Sequence, residues 1–268
     1  MAQILIPTDM SDGSRKAVLF AVDAFGIELS EFILLLSVGD VPRPTMVPEF
    51  IQYVKQEAHE ELKRFIAEIQ ESYPGKTLNI RGVVENGSVI SVVEQYTQEN
   101  PVDMVVMGTR GAGGALRWGS NAEVVSRNFR GPLIVVPPEW KPGPIEKILY
   151  ADDRQEVRDG KTLLPLVQLA KRYDAGIEFV HVSDEVKIRP TDTGVASHAP
   201  IFEGIKCTTA SMVDEDVTKA LSYLVDSGEY GILAVLHRRL GWLDALLHRS
   251  VAKRMALNTT VPLLVMHE

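Results

Sequence analysis

Gly108, Gly111, Gly113, Gly114 and Gly119 crowd the stretch 108–119, and Ser120 and Asn121 follow directly. An apolar run over 102–107 precedes them and a helical pattern follows. At such a strand-to-helix junction, glycines let backbone N–H groups turn toward an anion with no side chain in the way, which is how a phosphate cradle is built. The same cluster also suits a plain flexible connection. Asp9, after the apolar run 3–7, offers a carboxylate at a second strand end, and both Asp9 and Ser11 are equally good helix N-cap types.

Other chemistries fit poorly. The segment from Gly114 to Ser120 resembles a P-loop but lacks its lysine, and the Rossmann glycine spacing occurs nowhere in 108–119, so NAD and flavin are not expected. His59, His181, His198, His237, His248 and His267 show no zinc-site spacing, and the single cysteine, Cys207, forms no disulfide framework. No catalytic triad, nucleophile or general base stands out, so no catalytic residue is assigned and any hydrolysis is expected to be slow.

The elements that must position these residues follow from periodicity. Apolar strands at 3–7, 31–38, 78–84, 102–107 and 132–136 alternate with helical patterns at 11–25, 49–72 and 88–98 and with a short helix ending at Asn128. Such alternation predicts an α/β fold with an open, mostly parallel sheet covered by helices on both faces. A chain of 268 residues with 45% hydrophobic content has material for two cores, and Pro142 and Pro144 mark a linker between residues 1–140 and 144–268. A net charge of −8 argues against nucleic acid or an anionic membrane surface as partner. With no spanning apolar run and no charged leader before the first strand, a soluble cytoplasmic protein is expected.

The second half repeats the first. Strands near 148–152, 179–182 and 262–265 echo those at 4–9, 34–38 and 132–135, which reads as an internal duplication whose second copy has lost most of the long helix. Aligned on Pro132 and Pro262, Gly111 falls on Gly241 and Ser120 on Ser250, but Gly108 falls on Arg238 and Gly119 on Arg249. Arg238, Arg239 and Arg249, with Ser250, are either a rebuilt anion clamp or a solvated or salt-bridged basic patch.

These residues carry a family resemblance. The chain resembles a tandem, two-domain member of the universal stress protein family, whose nucleotide-binding branch has Gly-x2-Gly-x9-Gly-Ser/Thr after the fourth strand and an Asp at the end of the first. Gly108, Gly111, Gly119 and Ser120 match in type, while seven residues rather than nine separate Gly111 from Gly119. The resemblance implies an adenine nucleotide, ATP or AMP with or without magnesium, held in the first half. Pro7, Thr8 and Asp9 would meet the nucleoside end, Val38 the adenine edge, Met107, Gly108, Arg110 and Gly111 the ribose and inner phosphate, and Gly119, Ser120 and Asn121 the outer phosphates. It further implies a pseudo-dimer of the two halves, with the segments 132–136 and 262–266 in contact, and leaves further homodimerisation open. The expected function is nucleotide sensing in stress adaptation. A scaffold that binds no nucleotide and a slow ATPase are the alternatives.

Overall fold

A computed structural model of the chain describes residues 1–39, 48–109, 120–183, 200–238 and 259–268. The chain is an α/β protein with mostly parallel strands, and it divides into two compact units, Met1–Phe129 and Arg130–Glu268.

The first unit runs β1 (Ala2–Thr8), α1 (Asp12–Phe25), β2 (Ser30–Ser37), α2 (Pro48–Glu71), β3 (Ile80–Glu85), α3 (Val89–Glu99), β4 (Met104–Gly108) and α4 (Ser120–Asn128). Its strands lie in the order β3-β2-β1-β4, all pairs parallel. Ile4, Leu5 and Ile6 are all fully buried, because helices cover both faces and no alternate residue is left for solvent. Each such side chain contributes about 1.5–3 kcal/mol when removed from water. Helix α1 buries Ala17, Ala21 and Ala24 beside Val18 and Phe20, and the small residues let it settle close to the sheet.

Helix α2 buries Ala58, Leu62, Phe65 and Ile69, a stripe at helical spacing. Leu62 lies so close to β3 that a β carbon on Gly82 would stand 2.6 Å from its Cδ2 atom. Glycine in mid-strand is otherwise unfavourable, so Gly82 is there to admit Leu62.

The second unit contains β5 (Leu133–Val136), β6 (Lys147–Ala151), a 3-10 turn (Gly160–Leu163), α5 (Leu164–Tyr173), β7 (Gly176–Ser183), β8 (Cys207–Val213), α6 (Val217–Asp226), β9 (Ile232–His237) and β10 (Leu263–His267). Its order is β5-β10-β9-β6-β7-β8. Among its described strands only β5 and β10 pair antiparallel, Leu264 opposite Ile134. Most of the segment in which the sequence reading placed a lost helix, 184–199, lies outside the described residues; 200–202 form a 3-10 turn. From it Phe202 packs edge-on to Phe179 at 5.3 Å, and Phe179 in turn meets Tyr150 at 5.2 Å.

The Leu62–Gly82 contact is testable by a double-mutant cycle in denaturant. Gly82→Val is expected to lower stability by about 1–3 kcal/mol through overpacking and Leu62→Ala by about 2–5 kcal/mol through a cavity. The double variant should lose less than their sum, and strict additivity would remove the contact from the account.

Candidate functional site

In the first unit the chain passes from β1 to β2 and β3 on one side and returns as β4 on the other. Where a parallel sheet reverses its order, the connections leave toward opposite faces and open a crevice outside the carboxyl ends of the two flanking strands. Asp9 directly follows β1 and Gly108 ends β4, so both flank that crevice.

Asp9 is exposed, and its Oδ1 accepts from the Ser11 N–H at 3.1 Å and from the hydroxyls of Ser11 and Ser14. Ser11 caps α1, its Oγ accepting from the Ser14 N–H. Asp9 thus braces the cap and keeps its carboxylate at the crevice. Pro7 and Thr8 are buried, and the Thr8 hydroxyl accepts from the N–H of Met10, which takes a left-handed φ of 62°. Their visible work is to hold this turn.

Gly108 has a packing reason to be glycine. A β carbon there would lie 2.5 Å from the carbonyl oxygen of Gly13, in the first turn of α1. The sequence reading explained Gly108 by access for phosphates; the structure adds a backbone-to-backbone contact that excludes any side chain. Met107 is buried behind it. Thr109, not singled out from sequence, is 3% exposed, and its hydroxyl has no hydrogen-bond partner among the described residues. Buried hydroxyls without partners are uncommon and point to a missing acceptor or donor.

The N–H of Val38 donates to the Glu85 carbonyl at 3.0 Å, so its carbonyl is the group it has to offer an adenine edge. Beside it Gly39 bridges to Gly87, and the Ser37 hydroxyl donates to the Gly87 carbonyl. Ser120 and Asn121 form the start of α4. Arg110, Gly111 and Gly119 lie outside the described residues, as do Arg239, Arg249 and Ser250.

Strand pairing corrects the comparison of the two halves. Ile4 pairs with Met104 as Ile148 pairs with Ile232, and the N–H of Asp103 donates to Gln3 as that of Gly231 donates to Lys147. Met10 and Arg154 share the left-handed φ, 62° and 57°. Asp9 is therefore answered by Asp153, Gly108 by Leu236, Thr109 by His237 and Arg110 by Arg238. Aligning on Pro132 and Pro262 placed Gly108 on Arg238, two residues off, because the span from Met104 to Leu133 is two residues shorter than that from Ile232 to Leu263. By the same register Gly111 is answered by Arg239, and nine residues separate Arg239 from Arg249.

In the second unit the order reverses between β6 and β9, and there the crevice holds Arg238. Its Nη1 donates to the Glu156 carbonyl at 2.8 Å and its Nη2 to the Gln155 carbonyl at 3.0 Å. Its Nε lies 3.3 Å from Asp153 and its Nη1 3.2 Å from Glu268, and all three side chains are largely buried. One turn back, burial pushes the Asp152 carboxyl above the ordinary carboxylate range, although it accepts from the Arg154 N–H.

A parallel α/β sheet with a crevice at its strand reversal defines a broad class of ligand-binding fold. Within it, the family described as universal stress protein matches residues 1–137, and the chain belongs to that family. Among solved structures, the chain is similar to a universal stress protein from Archaeoglobus fulgidus DSM 4304, at 19% identity and a TM-score of 0.70, covering 99% of this chain and 96% of that one. It is also similar to the cytoplasmic domain of a prokaryotic cation chloride cotransporter, at 11% identity, a TM-score of 0.59 and 99% and 95% coverage. A functionally unknown protein from Pseudomonas aeruginosa PAO1 gives 13%, 0.56, and 100% and 92%. These likenesses show the fold. No curated protein matches the chain at a significant level. Among the described residues, no helix is long and apolar enough to cross a membrane.

Two outcomes follow. Gly108→Ala is expected to lose about 1–3 kcal/mol of stability without any ligand, since the added carbon meets fixed backbone; wild-type stability in urea would show that α1 can move aside. Asp152→Asn keeps the bond to Arg154. Since the folded pKa of Asp152 is raised, its ionisation opposes folding above that value, so the variant should melt higher at neutral pH. The gain should fade as pH falls through the raised pKa into the ordinary carboxylate range, where the aspartate is protonated too; a melting difference independent of pH would remove this account.

Proposed function

We propose that this chain binds an adenine nucleotide, ATP or AMP, in the crevice between β1 and β4, and acts as a nucleotide-responsive regulator in stress adaptation. The observation that carries the reading is the position of Asp9, Gly108 and Thr109. A carboxylate able to accept from a ribose, a strand ending in glycine and a buried hydroxyl with no partner among the described residues all adjoin the crevice that the strand reversal of the first unit creates. Membership of the universal stress protein family over residues 1–137 supports it, because the nucleotide-binding branch of that family carries the motif that Gly108, Gly111, Gly119 and Ser120 resemble.

Ser120 and Asn121 open a helix directly after the glycine stretch, and exposed N–H groups at such an end favour the outer phosphates. Arg110 and Gly111 belong to the same reading through their place in the motif. We further infer that residues 144–268 are a second, degenerate copy of the same domain. The shared strand register and the paired left-handed residues Met10 and Arg154 support a common ancestor for the halves.

Calorimetric titration of nucleotide-free protein with ATP, ADP and AMP in magnesium tests the reading. Saturable binding is expected, weakened about tenfold or more in Asp9→Asn, where a charge-assisted hydrogen bond is lost. Absence of saturable binding at millimolar nucleotide would leave the scaffold alternative in its place. Turnover that survives repurification and falls with Asp9→Asn would instead make the protein an ATPase.

A further inference from the structure

We propose that the second unit carries its own occupant: the guanidinium of Arg238 fills the crevice at the β6–β9 reversal and closes it to anions. The crevice has the same topological origin as that of the first unit, and among the described residues it is lined differently. Where the first unit has a glycine ending β4, the second has Leu236, and two residues on Arg238 turns back into the crevice. The guanidinium touches the carboxylate of Asp153, the counterpart of Asp9, together with the carboxylate of Glu268 and the carbonyls of Gln155 and Glu156.

Each described group paired with that guanidinium is an acceptor, and two are carboxylates. A phosphate entering here would meet two carboxylates facing one cation whose Nη1 and Nη2 already donate to backbone carbonyls, so it would suffer net repulsion. Removing the guanidinium would strand both carboxylates in a largely buried place, which is far less favourable than the intact cluster.

The cluster also fastens two separate pieces of chain to the end of β9. Asp153 follows β6, Gln155 and Glu156 lie in the connection toward α5, and Glu268 follows β10. Glu268 is itself held by its N–H donating to the His237 carbonyl and by its carboxylate accepting from the Arg158 N–H. Arg238 thus occupies the position of a ligand and works as a latch between the strand-end turn and the last strand. This holds whether or not the first unit binds nucleotide.

The test is chemical rescue. Arg238→Ala should lower Tm by about 10 °C, the scale expected for stranding buried charges. Ethylguanidinium, titrated to about ten times its apparent Kd, should recover about 3–5 °C in that variant. Ethylammonium should recover nothing, and wild type should not respond to either. If Arg238→Ala does not fold, Arg238→Ala with Glu268→Gln removes one stranded carboxylate, and the same rescue is read there. A rise no greater with ethylguanidinium than with ethylammonium would overturn the proposal, since a merely space-filling arginine leaves no guanidinium-specific site. On wild type, tripolyphosphate followed by amide NMR should leave residues 153–158 and 268 unmoved, and saturable shifts among them would likewise overturn it.

Discussion

The carbonyl of Gly13 stands 2.5 Å from where Gly108 would carry a β carbon, and the first unit depends on that approach. It brings the first turn of α1 against the end of β4, so the turn between β1 and α1 must close within residues 9–11. That short turn needs Met10 in a left-handed conformation, with Thr8 and Asp9 each accepting a hydrogen bond from two residues on. The same hydrogen bonds aim the Asp9 carboxylate toward the strand ends. Glycine at 108 is thus a condition of the fold before it is a feature of any site.

The second unit shows what happens when this constraint is lifted. Its chain takes residues 152–159 to travel from β6 to the next helical turn, keeping the left-handed residue and the two bonds from two residues on, here accepted by Asp152 and Asp153 where the first unit uses Thr8 and Asp9. With a longer connection, a leucine stands where Gly108 would be, and the arginine that follows can lie back across the strand ends. Among the described residues the two crevices therefore differ in chemistry: a hydroxyl without a described partner and a glycine strand end in one, an arginine between two carboxylates in the other.

Much of this was legible in the sequence. The strands and helices of the first unit lie within a residue or two of their expected bounds, because continuous apolar runs mark its strands and a 3.6-residue apolar period marks its helices. Ser11 as a cap and the glycine end of β4 were legible too. The pairing register was not, since Pro132 and Pro262 anchor the alignment on the far side of a two-residue length difference, and only the ladder partners of Ile4 and Ile148 locate it. The packing reason for Gly108 was likewise hidden, because the Gly13 carbonyl that excludes a β carbon there belongs to a helix far back in the sequence.

Arg238 shows how far residue type alone can carry such a reading. Three arginines and a serine at a strand-to-helix junction read, in sequence, as either an anion clamp or a solvated or salt-bridged patch. A guanidinium binds anions, however, only with the donors that its neighbours leave to it. Here two backbone carbonyls and two carboxylates converge on one arginine that is itself largely buried. What decides its role is therefore the acceptors that the turn at 153–156 and the residue after β10 bring to it, and those are consequences of topology. In the first unit the corresponding turn spends acceptors on the cap of α1 instead, through the Asp9 carboxylate.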